Sequence, residues 1–265
     1  MKFYKYCGAG NDFVLLENFD GALSDYPALA RRLCDRHFSV GADGLIVLEP
    51  AEHGADCKMR FFNNDGTAAE MCGNGARCLC RHCRDFGLSG DVQRIETPAG
   101  LVTGEYIADD RYRIELNRPS VIESGIAFED VLCDYLVLGE NGIPHAVAPC
   151  PPCDDLDELR KFASRLRHFS HFPRGANVNL WTKISENSIL LRTFERGVED
   201  FTLACGTGSG ATVAALTRSG VVSGNATEVH TDGGLLSVDI VGECDAPRIF
   251  LTGPAICTFT GTVAL

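Results

Sequence analysis

The chain carries one unusual phrase twice. "MCGNGARC" runs from Met71 to Cys78 and "ACGTGSGA" from Ala204 to Ala211, so Cys72 and Cys205 each head a Cys-Gly-x-Gly frame. The interval from Cys72 to Gly87 equals that from Cys205 to Gly220. Glycine just past a helix is a common C-terminal signal, so both intervals are expected to be helices. The echo continues outward in the same order. "RFFN" (Arg60 to Asn63) matches "RTFE" (Arg192 to Glu195), "TPAGLV" from Thr97 matches "TDGGLL" from Thr231, and "RIELNRP" (Arg113 to Pro119) matches "RIFLTGP" (Arg248 to Pro254). Such a duplication restricts the fold to two similar halves, each of strands, one helix and further strands. The second helix, with "GATVAAL", is small and apolar nearly all round, the pattern of a helix buried inside its domain. The expected fold class is α/β (α+β). It has two pseudo-symmetric domains, each a strand-rich sheet wrapped around a central helix, with the active site in the cleft between them. The boundary is expected near Asn117 to Glu123: residues 1–117 form the first domain and 118–251 the second, while 252–265 return to the first.

At 265 residues, with 45% apolar and 23% charged residues, the composition is that of a soluble globular protein. A formal net charge of −12 argues against nucleic acid or an anionic membrane as partner. Small anionic substrates remain compatible, because a local site can be positive on a negative protein. No apolar run approaches the length of about 18 residues that a membrane helix needs. "MKFYKYCGAGNDF" lacks the apolar stretch of a signal peptide and reads as the start of a strand. A cytoplasmic location is expected, and with it reduced thiols for the 13 cysteines.

Two cysteine clusters suggest zinc. "CLCRHC" (Cys78 to Cys83) and "CPPC" (Cys150 to Cys153) both contain a C-x-x-C spacing that suits tetrahedral coordination. The duplication argues otherwise, since Cys78, Cys80 and Cys83 align with Ala211, Val213 and Leu216, which are plain core residues. Free cysteines are most often small buried hydrophobes.

Cys72 and Cys205 stand apart from the other cysteines. Each precedes a helix, where unpaired N–H groups and the macrodipole favour an anion, so a thiol there gains thiolate character. The glycines let the backbone approach a bound carboxylate closely. Were the two thiols to meet across a cleft, one could take a proton from the carbon beside that carboxylate while the other delivers one to the opposite face. This is general acid–base catalysis with matched groups, and it inverts a stereocentre. The N–H groups would stabilise the charge spreading onto the carboxylate.

The longer motifs are "GAGNDF" (Gly8 to Phe13), "GADG" (Gly41 to Gly44), "FNNDGTAAEMCGNGARC" (Phe62 to Cys78), "ETPAG", "PHAV" (Pro144 to Val147), "ANVNLW", "ERG" (Glu195 to Gly197) and "LACGTGSGA". With these, essentially the whole chain resembles the diaminopimelate epimerase family. The resemblance implies two similar α/β domains around a cleft and a cofactor-independent isomerase. That enzyme interconverts LL- and meso-2,6-diaminopimelate for lysine and peptidoglycan precursor synthesis in a bacterial cytoplasm. It implies Cys72 and Cys205 as the catalytic pair, with His145 and Glu195 as auxiliary residues adjusting thiol protonation. The reacting carboxylate would lie on the N–H groups of Gly73 and Asn74 on one side and Gly206 and Thr207 on the other. Asn11, Asn63 and Asn177 match substrate-binding asparagines, and Glu195 is counted with them. Arg196 would pair with the carboxylate at the non-reacting end. No pyridoxal phosphate or metal is implied, and a homodimer is expected. Three positions depart from the family pattern: Ile143 replaces a common binding asparagine, Cys7 a common histidine, and Gly44 stands where some members carry glutamine. Ile143 motivates an alternative, a two-thiol racemase of another amino acid such as histidine or a proline derivative. A zinc-stabilised binding protein is the alternative of a different class.

Overall fold

The fold is described from a computed structural model covering residues 1–140, 142–243 and 245–264. The chain divides into two compact units: Met1–Glu115 with Thr252–Leu265, and Leu116–Leu251. In the first, β1 (Lys2–Gly8), β2 (Asn11–Glu17), α1 (Tyr26–Leu33), β3 (Gly44–Glu49), β4 (Cys57–Asn63) and β5 (Ala68–Ala69) lead to α2 (Gly73–Asp85). After it come β6 (Val92–Thr97), β7 (Gly100–Ala108) and β8 (Arg111–Leu116). The second unit holds β9 (Pro119–Phe128), β10 (Val131–Leu138), β11 (Pro144–Pro149), α3 (Leu156–Arg167), β12 (Asn177–Ser185), β13 (Ser188–Glu195) and β14 (Asp200–Thr202). Next are α4 (Gly206–Arg218), β15 (Thr227–Thr231) and β16 (Gly234–Val241). β17 (Arg248–Pro254) carries the chain back, and β18 (Ile256–Thr262) pairs antiparallel with β1 in the first unit.

The two units repeat one pairing plan. In the first, β1–β2 is antiparallel, β2–β3 parallel, β3–β4 and β4–β5 antiparallel, β4–β6 parallel and β6–β7 antiparallel. In the second, β10–β11, β11–β12, β12–β13, β13–β14, β13–β15 and β15–β16 follow the same order of orientations. A parallel step needs a crossover, and α1 and α3 supply the corresponding ones. Both faces of the strands are therefore covered. On β3, Leu45 and Val47 pack with Ala30 and Leu33 of α1, whereas Ile46 lies against Gly75 of α2. On β11 and β12, Ala146, Ala148, Val178 and Leu180 pack with Leu159, Phe162, Ala163 and Leu166 of α3. This alternation follows from the two-residue strand repeat.

α2 and α4 are the central helices. α2 touches β1, β2, β3, β4, β7 and β18, and α4 touches β10, β11, β12 and β16. Each begins on an extended cysteine, Cys72 (φ −130°, ψ 117°) or Cys205 (φ −115°, ψ 112°). Each ends two residues before a left-handed glycine, Gly87 (φ 68°) or Gly220 (φ 73°), with Phe86 or Ser219 between as the C-cap. The equal Cys-to-Gly intervals in the sequence are thus a helix with both of its caps. Cys78, Cys80 and Cys83, like Ala211, Val213 and Leu216, are buried in these helices. Leu79 is also fully buried, and burial of a side chain of that size contributes about 1.5–3 kcal/mol.

Candidate active site

In the first unit the site grows from a hairpin. Ala9 and Gly10 form a two-residue turn with φ of 55° and 80°, which aligns Gly8 with Asn11 across the β1–β2 pair. Asn11 Nδ2 donates to Asp43 Oδ2 at 2.8 Å. With its amide nitrogen committed to a carboxylate, Asn11 turns Oδ1 toward two donors: the Cys72 thiol at 3.7 Å and Asn74 Nδ2 at 3.3 Å. Asp43 is held in turn by Arg36, which reaches both Asp43 (2.7 Å) and Asp12 (2.7 and 3.0 Å), while Lys5 pairs with Asp12 at 2.7 Å. Burial opposes the Asp12 carboxylate, but Arg36 and Lys5 outweigh it and hold its pKa well below the usual range. The "GAGNDF" and "GADG" motifs are therefore two parts of one clamp on Asn11.

Behind Asn74 lies Arg77, completely buried. Its Nη2 donates to Asn74 Oδ1 at 2.9 Å and its Nε to Pro254 O at 3.5 Å, while Nη1 has no hydrogen-bond partner among the described residues. Burial pushes the guanidinium's pKa down; the nearby Cys78, Cys72 and Cys80 thiols push it up. The same coupling favours the thiolate form of Cys72.

In the second unit the parallel register sets His145 of β11 beside Asn177 of β12. Asn177 and Asn179 share a strand face, and Thr193 of β13 stands opposite Asn179. Cys205 caps α4 with its own sulfur, Sγ accepting from Gly208 N at 3.4 Å. Asn177 Nδ2 also donates to Sγ, at 3.9 Å, and Thr207 Oγ1 lies 3.5 Å away. Asn177 Oδ1 accepts from Arg196 N at 2.9 Å, and Arg196 Nη1 donates to Arg174 O at 3.0 Å. Glu195 ends β13, and its Oε1 accepts from Thr202 Oγ1 at 2.6 Å. Gly208 must lack a side chain, because a Cβ there would overlap Asn179 Oδ1 and stand 3.1 Å from Thr193 Oγ1.

The two cysteines differ in hydrogen-bond polarity. Cys205 sulfur accepts at its helix start, an arrangement that favours a thiolate. Cys72 makes no such side-chain cap and is placed to donate to an oxygen that can only accept.

His145 is completely buried, and burial, assisted by the Arg196 charge, pushes its pKa down to about 3. The folded state thus binds one proton fewer than the unfolded chain at pH values between about 3 and the ordinary histidine value near 6.5. Stability is therefore lost as pH falls through that window, by about 1.4 kcal/mol per pH unit at full effect. Urea midpoints measured between pH 6 and pH 4 are expected to decline less steeply in His145→Gln, and equal slopes would contradict a neutral buried His145.

Cys72, Gly73, Asn74 and Asn11 come together in the first unit; Cys205, Gly206, Thr207, Asn177, Arg196 and His145 gather in the second. Asn63 lies apart from the Cys72 group in its hydrogen bonding, its Nδ2 donating to Thr67 Oγ1 at 2.9 Å within the turn after β4. Ile143 is partly exposed beside Pro144. Gly44 has no room for a side chain, since a Cβ would stand 2.8 Å from Phe62 O. Among the described residues no group of three or more His, Cys, Asp or Glu side chains is placed to hold a metal ion. Cys150 and Cys153 pack against the α3 core.

Sequence reasoning passed over Arg77, Asn179 and Thr193. Arg77 had a signal: it aligns with Gly210, so an arginine occupies a position that its duplicate leaves without a side chain. Asn179 had one too, being two residues from Asn177 on the same strand face.

The fold is that of a class of two-domain racemases, epimerases and their structural relatives. It is shared with a Bacillus anthracis phenazine biosynthesis protein of the PhzF family (TM-score 0.77, 15% identity, covering 100% of this chain and 99% of that one). It is shared also with a hydroxyproline epimerase from Agrobacterium vitis (TM-score 0.72, 16% identity, 99% and 90% covered). The sequence profile described as diaminopimelate epimerase matches residues 3–121 and 138–258, and the chain belongs to that family. Diaminopimelate epimerases of Archaeoglobus fulgidus and Aquifex aeolicus are 35% and 36% identical to it, over 99% and 100% of this chain and 96% and 98% of their own.

Proposed function

We propose that the chain interconverts LL- and meso-2,6-diaminopimelate, with Cys72 and Cys205 as the acid–base pair and no cofactor. The observation that carries the mechanism is a thiol at the start of each unit's central helix, one placed as donor and the other as acceptor. A proton leaves the α-carbon to the Cys205 thiolate, and the Cys72 thiol delivers one to the other face. The reverse reaction exchanges the roles. The carbanion's charge spreads onto its carboxylate, where the N–H groups of Gly73, Asn74, Gly206 and Thr207 stabilise it. Arg77 then supports the thiolate that Cys72 becomes. His145 and Glu195 are auxiliary residues, Glu195 adjusting the proton balance at the thiols. Asn11, Asn63, Asn177, Glu195 and Arg196 bind the substrate, Arg196 recognising its distal carboxylate. A cytoplasmic setting, lysine and peptidoglycan precursor synthesis, and a homodimer belong to the same reading and rest on family membership.

The test is stereochemical analysis of purified protein incubated with LL-diaminopimelate and a chelator, without pyridoxal phosphate. Conversion to a mixture containing the meso isomer is expected. Faster inversion of a histidine or proline derivative would overturn the substrate assignment.

A further inference from the structure

We infer that His145 works as a neutral hydrogen-bond donor through Nε2, and that Asn179 is the positioning residue that sets this tautomer. The inference rests, for its catalytic use, on the proposed epimerase function.

The orientation of the Asn179 amide follows from its neighbours. Its Nδ2 lies 3.3 Å from Ala146 O and 3.3 Å from Asn177 O, two backbone carbonyls that can only accept. Its Oδ1 lies 2.9 Å from Thr193 Oγ1, which donates to it. Turning the amide over would face an oxygen toward two carbonyl oxygens, all of them buried, with no donor among the three. The nitrogen therefore also faces His145 Nδ1, at 3.2 Å. A proton on Nδ1 would set N–H against N–H, so Nδ1 carries its lone pair and accepts. The imidazole proton then sits on Nε2, which is buried and has no hydrogen-bond partner among the described residues.

An N–H donor in that position is incomplete until an acceptor arrives. The bound substrate supplies one in an oxygen of its carboxylate groups. Neutrality matters as much as the tautomer. Burial keeps His145 uncharged at pH 7, so it donates to substrate without becoming a competing acid. Gly208 belongs to the device: with no Cβ, it leaves the space under the first turn of α4 that Asn179 and Thr193 occupy.

The experiment is a long-range proton–nitrogen NMR spectrum of the full chain with 15N-labelled histidine, the His145 signals being assigned by their loss in His145→Gln. The expected wild-type pattern at pH 7 is a protonated Nε2 and an unprotonated Nδ1, with the Nε2 proton shifting when diaminopimelate is added. A proton on Nδ1, or on both nitrogens, would overturn the inference. Asn179→Asp offers a carboxylate in place of the amide nitrogen. It is expected to draw the proton to Nδ1, charge the ring near neutral pH, and lower kcat by about 10²-fold or more. If folded Asn179→Asp kept the wild-type tautomer, Asn179 would be structural only. The Nε2–H tautomer without diaminopimelate turnover would support the tautomer assignment and overturn the substrate.

Discussion

Cys72→Ala and Cys205→Ala are each expected to lower kcat for diaminopimelate epimerisation by roughly 10²–10⁴-fold, the usual contribution of a positioned acid or base. The two thiols act as a unit, so the double variant should lose little more than either single one. The stability effects should differ. Cys205 caps α4 through Sγ, whereas Cys72 makes no side-chain cap on α2. Losing a side-chain cap costs about 0.5–2 kcal/mol, so Cys205→Ala should melt earlier than Cys72→Ala. Cys153→Ala, which alters a cysteine packed on the α3 core, should retain activity. Full activity in either of the first two variants would remove that cysteine from the mechanism.

The second large effect concerns Arg77. Arg77→Met keeps an unbranched apolar stem while removing a buried charge that is coupled to Cys72. Without it the Cys72 thiolate is less favoured, and alkylation of Cys72 at neutral pH is expected to slow by about tenfold, with kcat falling at least as far. Stability should change little or rise, because a buried guanidinium with an unpartnered Nη1 is replaced by an apolar side chain. Asn74 would lose its 2.9 Å donor, a second reason for reduced activity. A collapse in melting temperature with unchanged alkylation would make Arg77 a packing residue instead.

Much of this architecture could be read from the sequence because the duplication wrote it twice. The cysteine and the terminal glycine of each copy are the caps of α2 and α4, and "RFFN" and "RTFE" each close the apolar strand before them. Other parts could not be read. The parallel pairing of β2 with β3, and of β11 with β12, depends on where α1 and α3 carry the chain, and those helices share no motif that would align them. Asp43 and Asn11 meet only through that pairing. An arginine in a helix ordinarily reads as a solvated residue. Arg77 is buried because strands cover α2 on nearly every side, and no local pattern records that. Asn179 reads as one more polar residue on a strand until the register with β11 brings His145 Nδ1 to its amide.

The most direct test of two-thiol inversion is the early time course of LL-diaminopimelate in D2O, followed by NMR at the α-carbons. Two acid–base groups working on opposite faces predict that newly formed meso product carries deuterium at the inverted carbon while the unconverted substrate still carries protium there. Meso product retaining the original proton would mean that one group both removes and returns it, and would contradict the account.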